Sequence, residues 1–120
     1  MGKYVDGFVL PIAAANVEEY REMAQKAGDI WMEKGALAYY ECVGDDLEIE
    51  NMLSFKKISG ASDDETVIFA WIVYESREHR DTVNAAVMSD PRLKADMETH
   101  KNLFDFKRMA YGGFKTVVAI

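Results

Sequence analysis

Residues 66–84, TVIFAWIVYESREHRDTVN, contain the clearest strand-to-helix transition in the chain. The first part, TVIFAWIVY, is a nearly continuous run of β-branched and aromatic side chains, which predicts a central strand buried on both faces. Ser76 then stands where a helix N-cap is expected, and apolar and polar residues after it recur at helical spacing. The stretch therefore predicts a strand over 66–74 and a helix over about 77–89.

The amino-terminal part of the chain repeats this strand and helix pattern. Residues 3–11, KYVDGFVLP, alternate as a half-buried strand does, and the strand is expected to end at its proline. Asn16 and Glu19 have the spacing of a capping pair, which predicts a helix over about 16–34. The run LAYYECV, residues 37–43, then predicts a second strand.

Residues 45–65 carry many acids around the short apolar piece MLSF. Such composition favours a solvated excursion with a short strand or ribbon. A metal-binding acidic loop is less favoured, because the regular alternation of oxygen ligands and glycine that a calcium loop needs is absent from this segment.

The carboxyl-terminal part contains a short helix and a last strand. Asp90-Pro91 reads as the cap and first position of a helix that extends to about Met97. Residues 98–106 have no regular pattern. The final segment, RMAYGGFKTVVAI, predicts a strand, in which Gly112-Gly113 indicates a bulge or a close approach of backbone to another group.

The predicted order of elements favours an α+β fold. A β-α-β unit, an excursion, a second β-α unit, a short helix and a last strand suit a ferredoxin-like split β-α-β sandwich, with an antiparallel sheet and its helices on one face. No linker divides residues 1–120, so we expect a single domain. The other face of the sheet needs a cover, and a second copy of the chain is the simplest one.

Composition excludes several classes of protein. The net charge of −7 and the pI near 4.8 repel a phosphate backbone, so no nucleic-acid partner is expected. The sequence lacks an apolar run long enough to span a membrane and the apolar core of a signal peptide. Cys42 is the single cysteine, which rules out an internal disulfide and leaves too few ligands for a structural zinc site. These features predict a cytoplasmic protein with no metal and no cofactor.

Three segments carry a resemblance to a known family: KYVDGFVLP at 3–11, WIVYESREHRDTVN with MSDPR within 71–92, and KRMAYGGFK at 107–115. Together they resemble the YbaA-like family of small bacterial proteins, an uncharacterised domain family of the dimeric α+β barrel superfamily. The resemblance implies a homodimer whose two sheets pack face to face into a barrel, with a cavity in each subunit between sheet and helices. It implies no particular reaction, since the superfamily includes cofactor-free monooxygenases, haem-degrading enzymes, lactone isomerases and proteins without known activity.

His79 and Asp6 are the candidates for catalysis. His79 lies on the inward face of the second long helix, where it could act as an acid, base or ligand near neutral pH. The alternative is a histidine at a helix start that is satisfied by a hydrogen bond. Asp6 shares a strand face with aromatic and aliphatic residues, where an unpaired carboxylate would be costly, so Arg108 is predicted as its partner. Whether that pair is structural or functional stays open.

Four further residues are candidates for binding. Trp71 and Tyr111 are expected as pocket walls, although core aromatics are the more common case. Arg77 lies near a helix amino terminus, where free N–H groups assist anion binding; a solvated or dimer-contact position is the alternative. Arg108 is expected at the polar end of the pocket, beside Asp6.

These observations favour a homodimer that binds a small hydrophobic or aromatic molecule in its barrel cavity. The chemistry that would go with such a cavity is that of a cofactor-free oxygenase or isomerase, and the sequence does not decide whether the protein is an enzyme. The alternative is a non-catalytic binding or stress-response module, in which side chains would fill the interior.

Overall fold

A computed structural model describes residues 2–120. Over these residues the elements follow in the order β1 Tyr4–Ala13, α1 Val17–Glu33, β2 Ala38–Val43, α2 Phe55–Ser59, β3 Glu65–Tyr74, α3 Arg77–Met88, α4 Pro91–Thr99 and β4 Ala110–Lys115. The strands form one antiparallel sheet in the order β2-β3-β1-β4. Helices α1, α3 and α4 pack on one face of it. The predicted α+β, ferredoxin-like fold is confirmed.

Strand β3 occupies the centre of the sheet, as predicted, but only one of its faces is fully covered. Ile68, Ala70, Ile72 and Tyr74 are buried beneath the helices. On the other face Phe69 is 44% exposed. The expectation of burial on both faces is therefore wrong for the isolated chain, because all three long helices lie on the same side.

Strand β1 continues through Pro11 to Ala13, two residues beyond its predicted end. Strand β4 pairs with β1 only as far as Val9, so one edge of β1 is free from that point onward. Proline is tolerated in a strand where an edge makes no ladder hydrogen bonds. The unpaired edge explains why Pro11 does not end the strand.

The helix caps differ from one another. Ser76 has an extended backbone and its hydroxyl accepts a hydrogen bond from the His79 N–H at 3.1 Å, as predicted. Asn16 was expected to cap α1 but makes no side-chain cap hydrogen bond. Its ψ is 2°, because the 3₁₀ turn Ala14–Asn16 leads directly into the helix, whereas a side-chain cap needs an extended residue.

The fourth helix is capped as the sequence indicated. The Asp90 carboxylate accepts from the Arg92 N–H at 2.8 Å, and Pro91 occupies the first turn. Helix α4 extends to Thr99, slightly past its predicted end.

The acidic excursion contains a short helix, α2, rather than the expected strand or ribbon. Ser54 caps α2 by accepting from the Lys57 N–H, and Gly60 ends it with a φ of 71°. A left-handed residue after the last turn is a common helix stop, and glycine adopts it without strain. The cap and stop therefore favour a helix over the strand that composition suggested.

The last strand is shorter than predicted and contains no bulge. Strand β4 ends at Lys115, and Gly112 and Gly113 pair in register with Gly7 and Asp6. The close-approach interpretation is confirmed, since a Cβ on Gly113 would lie 2.2 Å from the Tyr4 hydroxyl oxygen. Glycine at this position lets the Tyr4 side chain lie against the backbone of β4.

Candidate functional site

A cavity of about 400 Å³ lies between the sheet and the helices that cover it. Phe8, Tyr39, Ala70 and Ile72 form its floor on the sheet. Aromatic and methionine side chains from α1, α3, α4 and the segment before β4 form most of its walls: Tyr20, Met23, Trp31, Met88, Met97, Phe104, Phe106 and Met109. A mostly apolar cavity of this volume is typical of a small-molecule site.

Glu41 of β2 brings a carboxyl group into this apolar cavity. The Tyr20 hydroxyl donates to one of its oxygens at 2.7 Å and the Tyr39 hydroxyl donates to the other at 2.6 Å. Burial raises the pKa of Glu41 above its ordinary value, and the two hydroxyl donors offset part of the rise. Burial, followed by the proximity of Glu41, also raises the pKa of both tyrosines. The carboxyl group is thus held in a fixed position.

Asp96 of α4 is a second acidic group in the cavity lining, and its side chain is 5% exposed. Within residues 2–120, neither of its carboxylate oxygens has a hydrogen-bond partner. The nearest cation-forming group is His100, whose Nε2 lies 3.7 Å from Oδ1. Burial raises the pKa of Asp96, and His100 and Lys26 lower it in part. Burial without hydrogen bonds is costly for a carboxylate, so this position is unusual.

Next to the cavity, Asp6 pairs with Arg80 of α3. The Arg80 Nη1 donates to Asp6 Oδ1 at 2.6 Å, and the Tyr111 hydroxyl donates to Asp6 Oδ2 at 3.1 Å. Arg80 also lies over the Tyr4 ring, 5.1 Å from its centroid. Burial raises the pKa of Asp6, while Arg80 and Tyr111 counteract the rise. Tyr111 connects this network to the cavity, because its side chain is part of the lining.

Asp6 and Arg108 were expected to pair, and this expectation is wrong. Arg108 lies in the 3₁₀ turn Phe106–Arg108, before β4 begins, so it is near the far end of β1. There its guanidinium makes two 2.8 Å hydrogen bonds to the Glu65 carboxylate and one to the Gly60 carbonyl oxygen. These contacts hold the pKa of Glu65 at about 2.

The structure places His79, Trp71 and Arg77 outside the lining of the cavity. The His79 Nδ1 accepts a hydrogen bond from the Glu75 N–H at 3.0 Å, and its ring packs edge-on against Tyr74. Trp71 points to the opposite face of the sheet, and Arg77 is exposed in the first turn of α3. Of the sequence-derived candidates, Asp6 and Tyr111 are brought together, and Tyr111 alone lines the cavity.

Sequence reasoning missed Glu41 and Asp96, although each left a local signal. In LAYYECV the strand alternation places Tyr39 and Glu41 on one face, so an acid shares the face of an aromatic residue. Helical spacing places Asp96 on the same side of α4 as Leu93 and His100. A charged residue on an otherwise apolar face was the observable feature in both cases.

The face of the sheet opposite the cavity, here called the open sheet face, carries a row of aromatic side chains. Tyr40 stacks on Trp71 with ring centroids 5.0 Å apart, and Phe69 lies 5.5 Å from Trp71. Phe55 of α2 continues the row beside Phe69. Phe114 of β4 is 61% exposed. This is a large contiguous apolar surface, which is unusual for a monomer.

Two features are missing from the part of the chain that the structure describes. Residues 2–120 contain no group of three or more His, Cys, Asp or Glu side chains arranged to hold a metal ion. None of the described helices is both long enough and apolar enough to cross a lipid bilayer.

The chain is similar to proteins of known sequence and structure. Residues 3–106 match the family described as "Protein of unknown function (DUF1428)". Uncharacterized protein YbaA of Escherichia coli (strain K12) is 44% identical over 116 residues, which is 97% of each chain. A dimeric ferredoxin-like protein from an uncultured marine organism has a TM-score of 0.65 at 8% identity, with 100% of both chains covered. SnoaB, a cofactor-independent oxygenase from Streptomyces nogalater, has a TM-score of 0.63 at 10% identity over 100% of this chain and 98% of its own. At these identities the two structures show the shared fold alone.

Proposed function

Because the chain belongs to the DUF1428 family, whose description assigns no activity, we propose a function from the cavity: it binds a small, largely apolar or aromatic molecule between the sheet and the helices. The observation that carries this proposal is an apolar cavity of about 400 Å³ into which a fixed carboxyl group, Glu41, projects. Apolar walls supply most of the binding free energy, and a few polar groups orient the ligand.

The cavity supports binding over the alternative of a filled interior. Protein cores are normally packed to high density, with few voids larger than a water molecule. A filled interior would therefore not leave a concave apolar space of this size between the sheet and the helices. Glu41 adds to the argument, since a carboxyl group fixed by two tyrosine donors has little value in a purely structural core.

The proposal includes a homodimer formed through the open sheet face. Phe69 and Phe114 expose much of their side chains there, and burial of such surface is the main driving force of association. A similar structure is itself described as dimeric. The cavity lies on the other side of the sheet, so each subunit would keep its own binding site.

The methionine residues provide a direct test of binding. Met23, Met88, Met97 and Met109 line the cavity, whereas Met32 and Met52 lie outside its lining. We expect titration with the neutral aromatic alcohol 2-naphthylmethanol to shift the methyl NMR signals of the four lining methionines, because ring currents act over short distances. ¹³C-methyl-methionine labelling makes these signals observable in the intact protein.

Met32 and Met52, which lie outside the lining, are the internal control. Saturable shifts confined to the lining methyl groups support the proposal. Absence of saturable shifts at the lining groups, or equal shifts at Met32 and Met52, would contradict binding in the cavity. The variant Ala70→Phe, which places a ring on the cavity floor, should weaken binding about tenfold or more, while Ala85→Phe on the exposed side of α3 should not.

A further inference from the structure

The cavity contains one polar group whose hydrogen-bonding capacity is unused. The Asp96 side chain is 5% exposed, and neither oxygen has a partner within residues 2–120. Most buried polar atoms in proteins are hydrogen-bonded, and a buried carboxylate without donors is among the most costly exceptions. A ligand that supplies the missing donors would remove this cost.

The groups around Asp96 do not supply those donors. His100 Nε2 lies 3.7 Å from Asp96 Oδ1, beyond hydrogen-bond distance, and its Nδ1 lies 2.9 Å from Glu19 Oε2. Lys101, also in the lining, has its Nζ 3.1 Å from Glu98 Oε1 at the protein surface. Asp96, a residue of the cavity lining, therefore remains a buried acceptor without a matching donor.

The carboxylate oxygens of Glu41 already accept hydrogen bonds within the protein. Each of these oxygens accepts a tyrosine hydroxyl, so Asp96 is the acid of the lining that offers free acceptor positions. The lysine of the lining, Lys101, is paired with Glu98, so the acceptor positions of Asp96 favour a positively charged guest. The net charge of −7 on the chain acts in the same direction at longer range.

The walls define what kind of cation fits. Aromatic rings surround the cavity. The faces of such rings attract organic cations, and they also pack against apolar groups. A bare metal ion would leave the apolar volume empty. We propose that the cavity binds an organic amine, whose apolar part fills the aromatic walls and whose protonated nitrogen donates to Asp96; this inference rests on the proposed binding function.

A matched pair of probes separates the inference from that function. 2-Naphthylmethylamine and 2-naphthylmethanol have the same ring and linker, and they differ by an ammonium group in place of a hydroxyl. We expect the amine to bind wild-type protein at least tenfold more tightly than the alcohol, because charge-assisted hydrogen bonds are about twice as strong as neutral ones. Affinities are measured by methionine-methyl NMR titration or calorimetry at pH 7.

Two variants locate the preference. In Asp96→Asn the ratio of the two affinities should fall to about one, with the affinity for the alcohol nearly unchanged. Asp46→Asn, outside the cavity lining, alters the net charge equally and should keep the wild-type ratio. Equal binding of both probes by wild-type protein, or a preference that persists in Asp96→Asn, would overturn the inference and leave the binding function intact. If neither probe binds, the binding function itself fails, and the inference fails with it.

Discussion

Asp6 and Asp96 are both buried carboxylates, yet their surroundings predict opposite consequences for stability. Asp6 is paired with Arg80, whose side chain is 12% exposed, so Asp6→Ala would leave a buried guanidinium with the exposed Asp81 as its remaining carboxylate partner. Removing one member of a buried pair typically costs about 3–5 kcal/mol, and the remaining contact with Asp81 should reduce this loss to about 2–4 kcal/mol. We expect a loss of this size in the free energy of unfolding measured with urea.

The comparison variant for Asp6 is His79→Ala. His79 accepts one backbone hydrogen bond near the surface, which water can replace, so its loss should cost about 1 kcal/mol or less. Similar small losses for both variants would mean that the Asp6–Arg80 pair contributes little.

Asp96→Asn should instead stabilise the protein at neutral pH. The pKa of Asp96 is raised in the folded state. As the pH rises from about 3.8, Asp96 therefore ionises first in the unfolded chain, and the free energy of unfolding decreases until the pH exceeds the folded-state pKa. The Asp96→Asn variant has no ionisable group at this position, so its free energy of unfolding does not decrease for this reason. We expect it to be more stable than wild type by about 1 kcal/mol or more at pH 7, with a gain that shrinks toward zero near pH 4.

Urea unfolding of both proteins at the two pH values measures this difference. Other carboxylates, such as Asp90, titrate in both proteins and cancel in the comparison. A variant that is less stable at pH 7 would indicate that Asp96 has a stabilising partner in the folded protein. If the variant is more stable, the result would support the proposal that Asp96 serves ligand binding although it destabilises the folded protein.

At the scale of elements, the sequence correctly predicted the strands and helices that depend on interactions between neighbouring residues. The run TVIFAWIVY and the cap at Ser76 specify β3 and α3 through local preferences, and both were predicted almost to the residue. Asn16 has the same local signal as Ser76, but the 3₁₀ turn before it removes the extended backbone that a cap requires. Pro11 was expected to end β1, but β4 does not extend far enough to pair with it, so the missing N–H of the proline is tolerated.

Pairings between elements were harder to predict. Arg108 was predicted as the partner of Asp6, and only the three-dimensional arrangement assigns Arg80 to Asp6 and Arg108 to Glu65. The position of the cavity also depends on the three-dimensional arrangement. Its lining joins residues from four strands and three long helices, and no single segment of sequence marks them as neighbours. Tyr111 was identified because a pocket in this fold needs aromatic walls.

At the scale of the whole molecule, the sheet separates two surfaces with different surroundings. The cavity face is covered by helices, and the open sheet face is left with its aromatic row in solvent. A chain with a net charge of −7 repels its own copies, so association requires apolar burial large enough to exceed that repulsion. Exposed aromatic rings at the centre of a flat sheet can provide it.

We therefore expect a particle of about twice the 13.6 kDa chain mass at micromolar concentration, measured by light scattering or sedimentation. Phe69→Glu places a charge in the centre of the open sheet face and should produce monomers, because a buried unpaired carboxylate would cost several kcal/mol in each subunit. Met32→Glu makes the same apolar-to-acidic change on the exposed side of α1 and should leave the dimer intact. A monomeric wild type would contradict the proposed dimer, and a dimer that survives Phe69→Glu would place the interface elsewhere. Since Ala70 and Ile72 face the cavity from the other side of the same strand, a folded monomeric Phe69→Glu should still bind 2-naphthylmethanol.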